Sequence, residues 1–596
     1  MMAVGNLLRA FVCLLFVVGC SGGEGKDALS APGGPLNAVL ISMDTTRADA
    51  LGCYGRKPAV TPNIDRVASE GIVFERAYTV APLTLPSHAS MLTGLFPVRH
   101  SLRENGLWPL PPEADTLAER ARAAGFQTAA FVAAVVLDPT FGLSQGFDVY
   151  EGPQQPQQSD SSHYTERSGS EVVAGALAWL EKRDPERGFF IWVHLFEPHQ
   201  PYAPPARHRK GALKQDPYLG EIATLDEHIG TLLDGLERLG LAEESLIALV
   251  GDHGESLGEH GELSHAVFCY EAVLRVPWIL RFPNGWRRGE RCQGIVSVVD
   301  VFPTLARGMG LATPDSIDGV DLWREPSSER GVYFESYSGY LSFGMSPLVG
   351  WIDRGGKYLH SSAPEFFDPP NDPDEKRNLA SDRADELERY RRSIAQVAEA
   401  SALNPEQAPP IDSELLRGIQ GLGYVTTPGV EAQLPPPLAP SKLPAPVDES
   451  QNYSDTLIGL AHLNEEHLQQ AETILSGVVS RNPDNYVARE KLANCLMRQM
   501  RSDEALPHLQ RLVQQRPMFA GSHFNYASCL RDADRVEEAI AAYWQAVELE
   551  PKFLFMDTLM RYLREQQRPA QEANAFVERY DALRAARLGT RRGSGS

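Results

Sequence analysis

Residues 37–44 read "NAVLISMD", a run broken only by Ser42 that ends abruptly on a carboxylate. It is too short for an amphipathic helix and lacks the alternation of a half-exposed strand. Such a run is the mark of a strand buried on both faces. The same form recurs at "IVFERAY" (72–78), "QTAAFVA" (127–133), "FFIWVHLF" (189–196), "LIALVG" (246–251) and "VPWILRF" (276–282). Helical patterns lie between them, one delimited by Thr61 as cap, Pro62 at its first position and Gly71 after its end. Apolar strands alternating with helices specify an α/β domain: a mostly parallel central sheet flanked by helices.

Three of these runs end in polar residues that packing alone does not require. "AVLISM" leads into Asp44, "LIALVG" into Asp252 and His253, and "FFIWVHLF" into "EPHQPY", which contains His199. Ligand sites of open α/β sheets form beyond the carboxyl ends of strands, so these groups are expected to meet. Two carboxylates and an imidazole suit one divalent cation, with Mn²⁺, Zn²⁺, Ca²⁺ and Mg²⁺ all compatible. "TLPSHASMLTG" (84–94) fits the same place. Pro86 favours a first helical turn and puts Thr84 at or just before a helix N-terminus, where the dipole and free N–H groups suit an anion. A threonine hydroxyl is a poor nucleophile without a metal or base, and Asp44, Asp252 and His253 would supply the metal. Plainer roles compete: Thr84 as a helix cap, Asp252-His253 as a turn pair, His199 as a loop brace, His265 as an ordinary imidazole and Asn105 as a turn residue.

In chain order, "NAVLISMDTTRADALGCYG", "TPNIDRVASEGIVFERAYT", "TLPSHASMLTG", "EPHQPY" and "GDHGESLGEHGE" resemble the sulfatase branch of the alkaline phosphatase superfamily. "SVVDVFPTLARGMGL" and "EFFDPPNDPDEKRNL" are similar to its later segments, so the resemblance covers about 36–425. It implies that Asp44, Asp252 and His253 bind the metal with Thr84 at the nucleophile position. It also implies that His199 and His265 contact the transferred group or protonate the leaving group. Asn105, in "SLRENG", matches a substrate-contacting asparagine of the single-metal phosphonate and phosphate diester hydrolases of this branch.

The departures from the family carry the chemistry. Sulfatases oxidise Cys or Ser at the Thr84 position to formylglycine, whereas a threonine would give a ketone. The usual Arg four residues later is His88, the usual second Asp after Asp44 is Thr45, and His253 stands where many sulfatases have Asn. A threonine sulfate lacks the elimination that expels sulfate from an aldehyde hydrate, but water can attack a phosphothreonine in line. The expectation is therefore a metal-dependent hydrolase of phosphate or sulfate esters with phosphoryl chemistry favoured. A transferase of the phosphoglycerol or phosphoethanolamine type would pass the group to an alcohol instead. A third alternative, an inactive scaffold whose repeats do the work, sits poorly with intact Asp44, Thr84, Asp252 and His253.

The 596-residue chain has a formal net charge of −22, which disfavours nucleic acid as a partner. At the N-terminus, Arg9 precedes the apolar run "AFVCLLFVVG" and then Cys20. This resembles a bacterial lipoprotein signal (1–20) with Cys20 as the lipidated residue, followed by a polar tether (21–35), with a plain secretory signal as the alternative. The expectation is a lipid-anchored protein at the periplasmic or extracellular face of the envelope. Five further cysteines show no CxxC pairing and indicate neither zinc nor a disulfide framework. Proline crowds residues 404–450, as a semi-rigid spacer would, with the linker proper at 426–451. Beyond it Pro483, Pro517 and Pro551 recur every 34 residues, as do Ala471, Ala505 and Ala539, and Gly459, Ala493 and Ala527. That period, with small residues at fixed phases, is a tetratricopeptide signature: three repeats and a cap over 452–585, a surface for a protein partner.

Overall fold

The computed structural model describes residues 36–153, 166–404 and 434–593. The signal and tether, with Cys20, lie outside the described residues, as does the first part of the proline-rich joint.

The main sheet has eight strands: β1 (Asn37–Met43), β2 (Ile72–Tyr78), β3 (Gln127–Phe131), β4 (Val149–Glu151), β5 (Phe189–Leu195), β6 (Ser245–Gly251), β7 (Arg275–Arg281) and β8 (Glu290–Ser297). Their spatial order is β4-β3-β5-β1-β6-β7-β2-β8, parallel except that β7 runs against both its neighbours. β1 lies near the centre and is buried on both faces. Ala38 and Leu40 join one core, and Val39, Ile41 and Met43 the other. This double burial is why the run is apolar without alternating. A second, antiparallel sheet of four short strands follows (Val332–Ser336, Leu348–Asp353, Gly356–His360 and Glu365–Phe367). It was not among the sequence expectations, because strands of three to six residues give too few positions for a pattern.

The C-terminal part is helical. Ser450–Asn464 pairs with Leu468–Arg481, Tyr486–Arg498 with Ser502–Gln515, and Ala520–Asp532 with Val536–Leu549; the helices Phe553–Glu565 and Ala570–Gly593 come last. The small residues at the repeated phases sit where helices touch: Ala471, Ala493, Ala505, Ala527 and Ala539 are fully buried. A Cβ at Gly459 would come 2.7 Å from Leu475 Cδ2.

Residues 434–450, read from proline content as a spacer, lie against the first domain. The Tyr337 hydroxyl donates to the Pro435 carbonyl at 2.9 Å, and Ser346 N–H to that of Pro444 at 2.8 Å. Proline-rich backbone has no internal hydrogen bonds, so its carbonyls are free to dock. Tyr453 of the first repeat is buried in the catalytic-domain core, edge-on to Phe343 with centroids 4.9 Å apart.

Candidate active site and metal centre

Register brings the two acidic strand ends together. Met43 of β1 pairs with Gly251 of β6 and with Leu195 of β5, so Asp44 and Asp252 leave the sheet side by side. Asp44 N–H still donates to the Leu195 carbonyl at 3.0 Å. The next residue, Thr45, has a φ of 45°, a left-handed conformation that costs a β-branched residue roughly 1 kcal/mol or more. It is held there by its own N–H to Asp252 Oδ1 (3.2 Å) and by the Tyr218 hydroxyl donating to its carbonyl (2.9 Å). Thr45 thus orients Asp252 through the backbone.

The helix Thr84–Thr93 starts in the same place. Its cap is Leu83, whose side chain cannot accept, so Thr84 is the first helical residue and not a cap. The Thr84 hydroxyl lies 3.3 Å from His253 Nε2. Asn105 Oδ1 accepts from Leu85 N–H at 3.0 Å, so that donor at the helix N-terminus is taken by the protein. In exchange, Asn105 Nδ2 is buried with no partner among the described residues. It is a donor available beside the nucleophile position.

Tautomers follow from the partners, because a carbonyl only accepts and a backbone N–H only donates. His253 Nδ1 is 2.9 Å from the Gly254 carbonyl and carries the proton, which leaves Nε2 as a lone pair. That lone pair lies 3.8 Å from Asp44 Oδ1 and 3.7 Å from Asp252 Oδ2. Both Asp44 oxygens and Asp252 Oδ2 are buried without a hydrogen-bond donor among the described residues. Such burial pushes the Asp44 carboxyl up to about 8. Burial, then the charge of Asp44, holds Asp252 well above the usual carboxylate range. Burial and the positive charge of His265 keep His253 neutral.

Such a donor set suits a divalent cation. The Thr84 hydroxyl, which donates to His253 Nε2, and oxygens of Asp44 and Asp252 converge on that nitrogen at 3.3–3.8 Å, and burial of two carboxylates side by side is costly without a compensating charge. Metal–ligand distances of about 2.0–2.3 Å put neighbouring ligands roughly 3–3.8 Å apart, so the set fits a divalent ion. A second group, His88, His194 and Asp252, is as tightly clustered but wired differently. His88 donates Nδ1–H to the Thr84 carbonyl at 2.7 Å. His194 accepts Ala133 N–H at Nδ1 (3.3 Å), so its proton sits on Nε2, 3.3 Å from Asp44 Oδ2. His194 turns its N–H towards Asp44, whereas neutral His88 spends its one N–H on the Thr84 carbonyl, and its Nε2 is buried with no partner among the described residues.

On the outer side, His265 Nδ1 lies 3.0 Å from Glu255 Oε1, and its ring tilts beside that of His253 with centroids 4.4 Å apart. Burial works against its proton, but the Glu255 charge and hydrogen bond prevail and raise its pKa. His199 differs. Burial brings it down to about 3, it donates Nδ1–H to the Gln200 carbonyl (2.7 Å), and it stacks on Phe196. Its ring meets that of His265 edge-on, 5.1 Å between centroids. The structure therefore brings Asp44, Thr84, Asp252, His253, Asn105, His199 and His265 to one region.

Sequence reasoning passed over Glu255, His194 and Glu166. Glu255 is fully buried between His265 and the Tyr202 hydroxyl. His194, alone among apolar residues of a fully buried strand, was the available signal. Glu166 accepts from Val135 N–H at 2.7 Å, and burial, then the Asp44 charge, keeps it protonated. Arg103 and His260, also near in sequence, act elsewhere: Arg103 grips Glu335 with two bonds of 2.6 Å, and His260 stacks on Tyr270.

The sulfatase family model matches residues 36–311, and two tetratricopeptide-repeat models match 462–520 and 496–552. The chain carries a sulfatase domain followed by tetratricopeptide repeats. An arylsulfatase of Clostridium perfringens is 26% identical over 438 residues, covering 58% of this chain and 90% of the relative. The multifunctional alkaline phosphatase superfamily protein PehA of Trinickia caryophylli is 26% identical over 482 residues, covering 58% and 92%. Among solved structures, the phosphonate monoester hydrolase of Agrobacterium radiobacter aligns with a TM-score of 0.50 at 22% identity, over 61% of this chain and 95% of that one. At that identity the likeness carries the fold alone. The sulfatase domain is an ester hydrolase of the superfamily, and its structure places groups able to hold a metal at the carboxyl ends of the central strands.

Proposed function

We propose that the sulfatase domain hydrolyses phosphate-type esters, diesters or phosphonates in preference to sulfates, with Thr84 as nucleophile. One observation carries the reading. A threonine hydroxyl, whose sulfate ester would have no exit by elimination, stands 3.3 Å from the His253 lone pair beside two orphaned carboxylates. Asp44, Asp252, His253 and Thr84 would hold a divalent cation, which when bound neutralises the carboxylates and lowers the pKa of the neighbouring hydroxyl. Asn105 Nδ2 donates to a non-bridging oxygen of the substrate. Thr84 Oγ1, its proton lost to solvent once its pKa is lowered, forms the new bond to phosphorus opposite the leaving oxygen, and His265 Nε2–H gives its proton to that oxygen as the old bond breaks. Water then attacks phosphorus in line, neutral His265 takes its proton, and the Thr84 oxygen departs. His199, neutral, keeps the His265 ring in place. Relatives named as an arylsulfatase and as a multifunctional alkaline phosphatase superfamily protein leave both ester classes within the family's reach.

The test is a panel of aryl phosphate monoesters and diesters, phosphonates and sulfates, run on wild type and Thr84→Ala. Phosphorus esters should turn over, and Thr84→Ala should lower kcat by roughly a thousandfold or more. Turnover of sulfates alone would refute the phosphoryl preference. We also propose that Cys20 is lipidated and anchors the protein to the envelope, with the repeats free to take a protein partner. Cys20→Ser should then leave the detergent-extracted fraction for the soluble one; an unchanged distribution argues for a different anchor.

A further inference from the structure

Where the proline-rich segment docks beside the second sheet, a cavity of about 430 Å³ is left. Three parts of the fold line it: the end of the strand Gly356–His360 with the turn after it, Arg391 of the helix Ala384–Glu399, and residues 437–441. The segment is pinned nearby, with Ala439 N–H donating to the Pro436 carbonyl at 2.9 Å and Ser346 N–H to that of Pro444 at 2.8 Å. The lining mixes two kinds of surface. Pro347, Pro437 and Leu438 are apolar, and Ser346, His360 and Arg391 are polar. None of the described residues that line it is acidic, in a chain whose net charge is −22.

The polar groups are wired so that donors are left over. Arg391 Nε donates to the Tyr358 hydroxyl at 3.2 Å, and this buried hydroxyl gives its own hydrogen bond to His360 Nδ1 at 3.0 Å. Burial, then the charge of Arg391, brings His360 down to about 4, so the ring is neutral and its one N–H is at Nε2. The Arg391 Nη1 group lies 3.6 Å from Glu388 Oε2, too far for a hydrogen bond. Ser346, 1% exposed, accepts at Oγ from both the N–H and the hydroxyl of Ser362, at 3.2 and 3.3 Å. Its own proton has no acceptor among the described residues. These donors lie close together: Arg391 and His360 meet at one hydroxyl, and Ser346 is tied to Ser362, two residues beyond His360. Donors of this kind normally find an acceptor.

We propose that this cavity binds a small organic oxyanion, a carboxylate or sulfate on an apolar body, with its head at Arg391, His360 and Ser346 and its body against Pro437 and Leu438. A guanidinium with neighbouring neutral donors suits a singly charged oxyanion. The volume is that of an ordinary small-molecule site, which is about 300–1,000 Å³. The cavity shares no residue with the cluster at Asp44, Thr84, Asp252 and His253, so the assignment is independent of the reaction proposed there. An occupant would bridge the second sheet and the segment that leads into the first repeat, and so fasten the two together.

The test titrates the full chain calorimetrically with benzoate and benzenesulfonate, and with inorganic sulfate as a head without a body, at constant ionic strength. Saturable binding of an organic anion is expected in wild type, and the tighter of the two identifies the head group. Arg391→Gln removes the charge, and Ala439→Phe fills the cavity from the segment's side; each should weaken binding at least about tenfold. Both positions lie outside the cluster at the strand ends, so an anion held there would bind the variants as it binds wild type. Ala439 is half-buried, and Ala439→Phe decides alone if Arg391→Gln does not fold. Inorganic sulfate should bind at least about tenfold more weakly than the better organic anion, because it buries no apolar surface. No saturable binding by wild type, a folded variant that binds as wild type does, or inorganic sulfate bound as tightly as the organic anions would each overturn the proposal.

Discussion

At the scale of single residues, the division of labour between two histidines follows from what each faces. His265 faces a buried carboxylate and has its pKa raised; His199 faces a carbonyl and a phenyl ring and is held near 3. Only His265 carries a proton to give near neutral pH. Activity that needs this proton is fully present below the His265 pKa and falls as pH rises through it. Glu255→Gln removes the charge that raises that pKa, so the alkaline limb of the kcat profile should move to lower pH, with kcat at neutral pH down roughly 10- to 100-fold. An unmoved limb would show that another group is the acid. The carboxylates give a second prediction. Asp44 is raised to about 8 in the metal-free fold. Its protonated form therefore favours the fold below about pH 4, and this contribution fades as pH rises through about 8. A divalent cation competes with that proton, so the gain in melting temperature from saturating Mn²⁺ should be small at about pH 5 and larger at about pH 8. Scanning calorimetry at the two pH values checks this, and an equal gain at both would mean that the carboxylates are already ionised without metal.

At the scale of elements, the legible features were those that buried apolar runs impose. β2 was bounded in full by "IVFERAY", and β1, β5 and β6 to within a residue at each end. Each of those runs stops where a polar group leaves the sheet, and for that reason Asp44 and Asp252 could be named as neighbours. Strand direction was not legible. β7 reads "RVPWILR" and is buried along nearly its whole length, and a run buried on both faces looks the same pointing either way. Nor could the wiring within the site be read, because it depends on atoms and not on residue types. His88 was visible as a departure from the family, yet its role comes from the Thr84 carbonyl one helical turn before it. Glu255 carries no periodicity, and only the fold puts it against His265. The proline-rich segment misled in the opposite sense. Composition describes how such a chain behaves when alone, and the carbonyls of Pro435 and Pro444 are not alone.

At the scale of the whole molecule, the repeats are built into the wall behind the active site. The loop that bears Glu255 and His265 continues through Gly261 to Phe268, and the first repeat helix leans on it. Ser454 Oγ donates to the Gly261 carbonyl at 2.5 Å, and a Cβ at Gly261 would come 3.2 Å from Ser450 Cβ. Tyr453, 4% exposed, packs edge-on to both Phe268 and Phe343. Within that loop Glu262 is buried and accepts the N–H groups of Val267 and Phe268, so a shift at Phe268 is passed on towards His265. A partner that moves the first repeat helix would thereby move His265, the proposed general acid, while Asp44, Asp252 and His253, at the ends of β1 and β6, stay fixed by the sheet. Tyr453→Ala tests the linkage. Removing the ring should cost about 3 kcal/mol of stability and lower kcat roughly tenfold. Cation affinity should not change, because Asp44, Asp252 and His253 have their own supports. Tyr453→Phe, which keeps the packing, should restore kcat. A variant that loses stability but keeps full kcat would mean that the repeats are only attached to the sulfatase domain and do not shape its site.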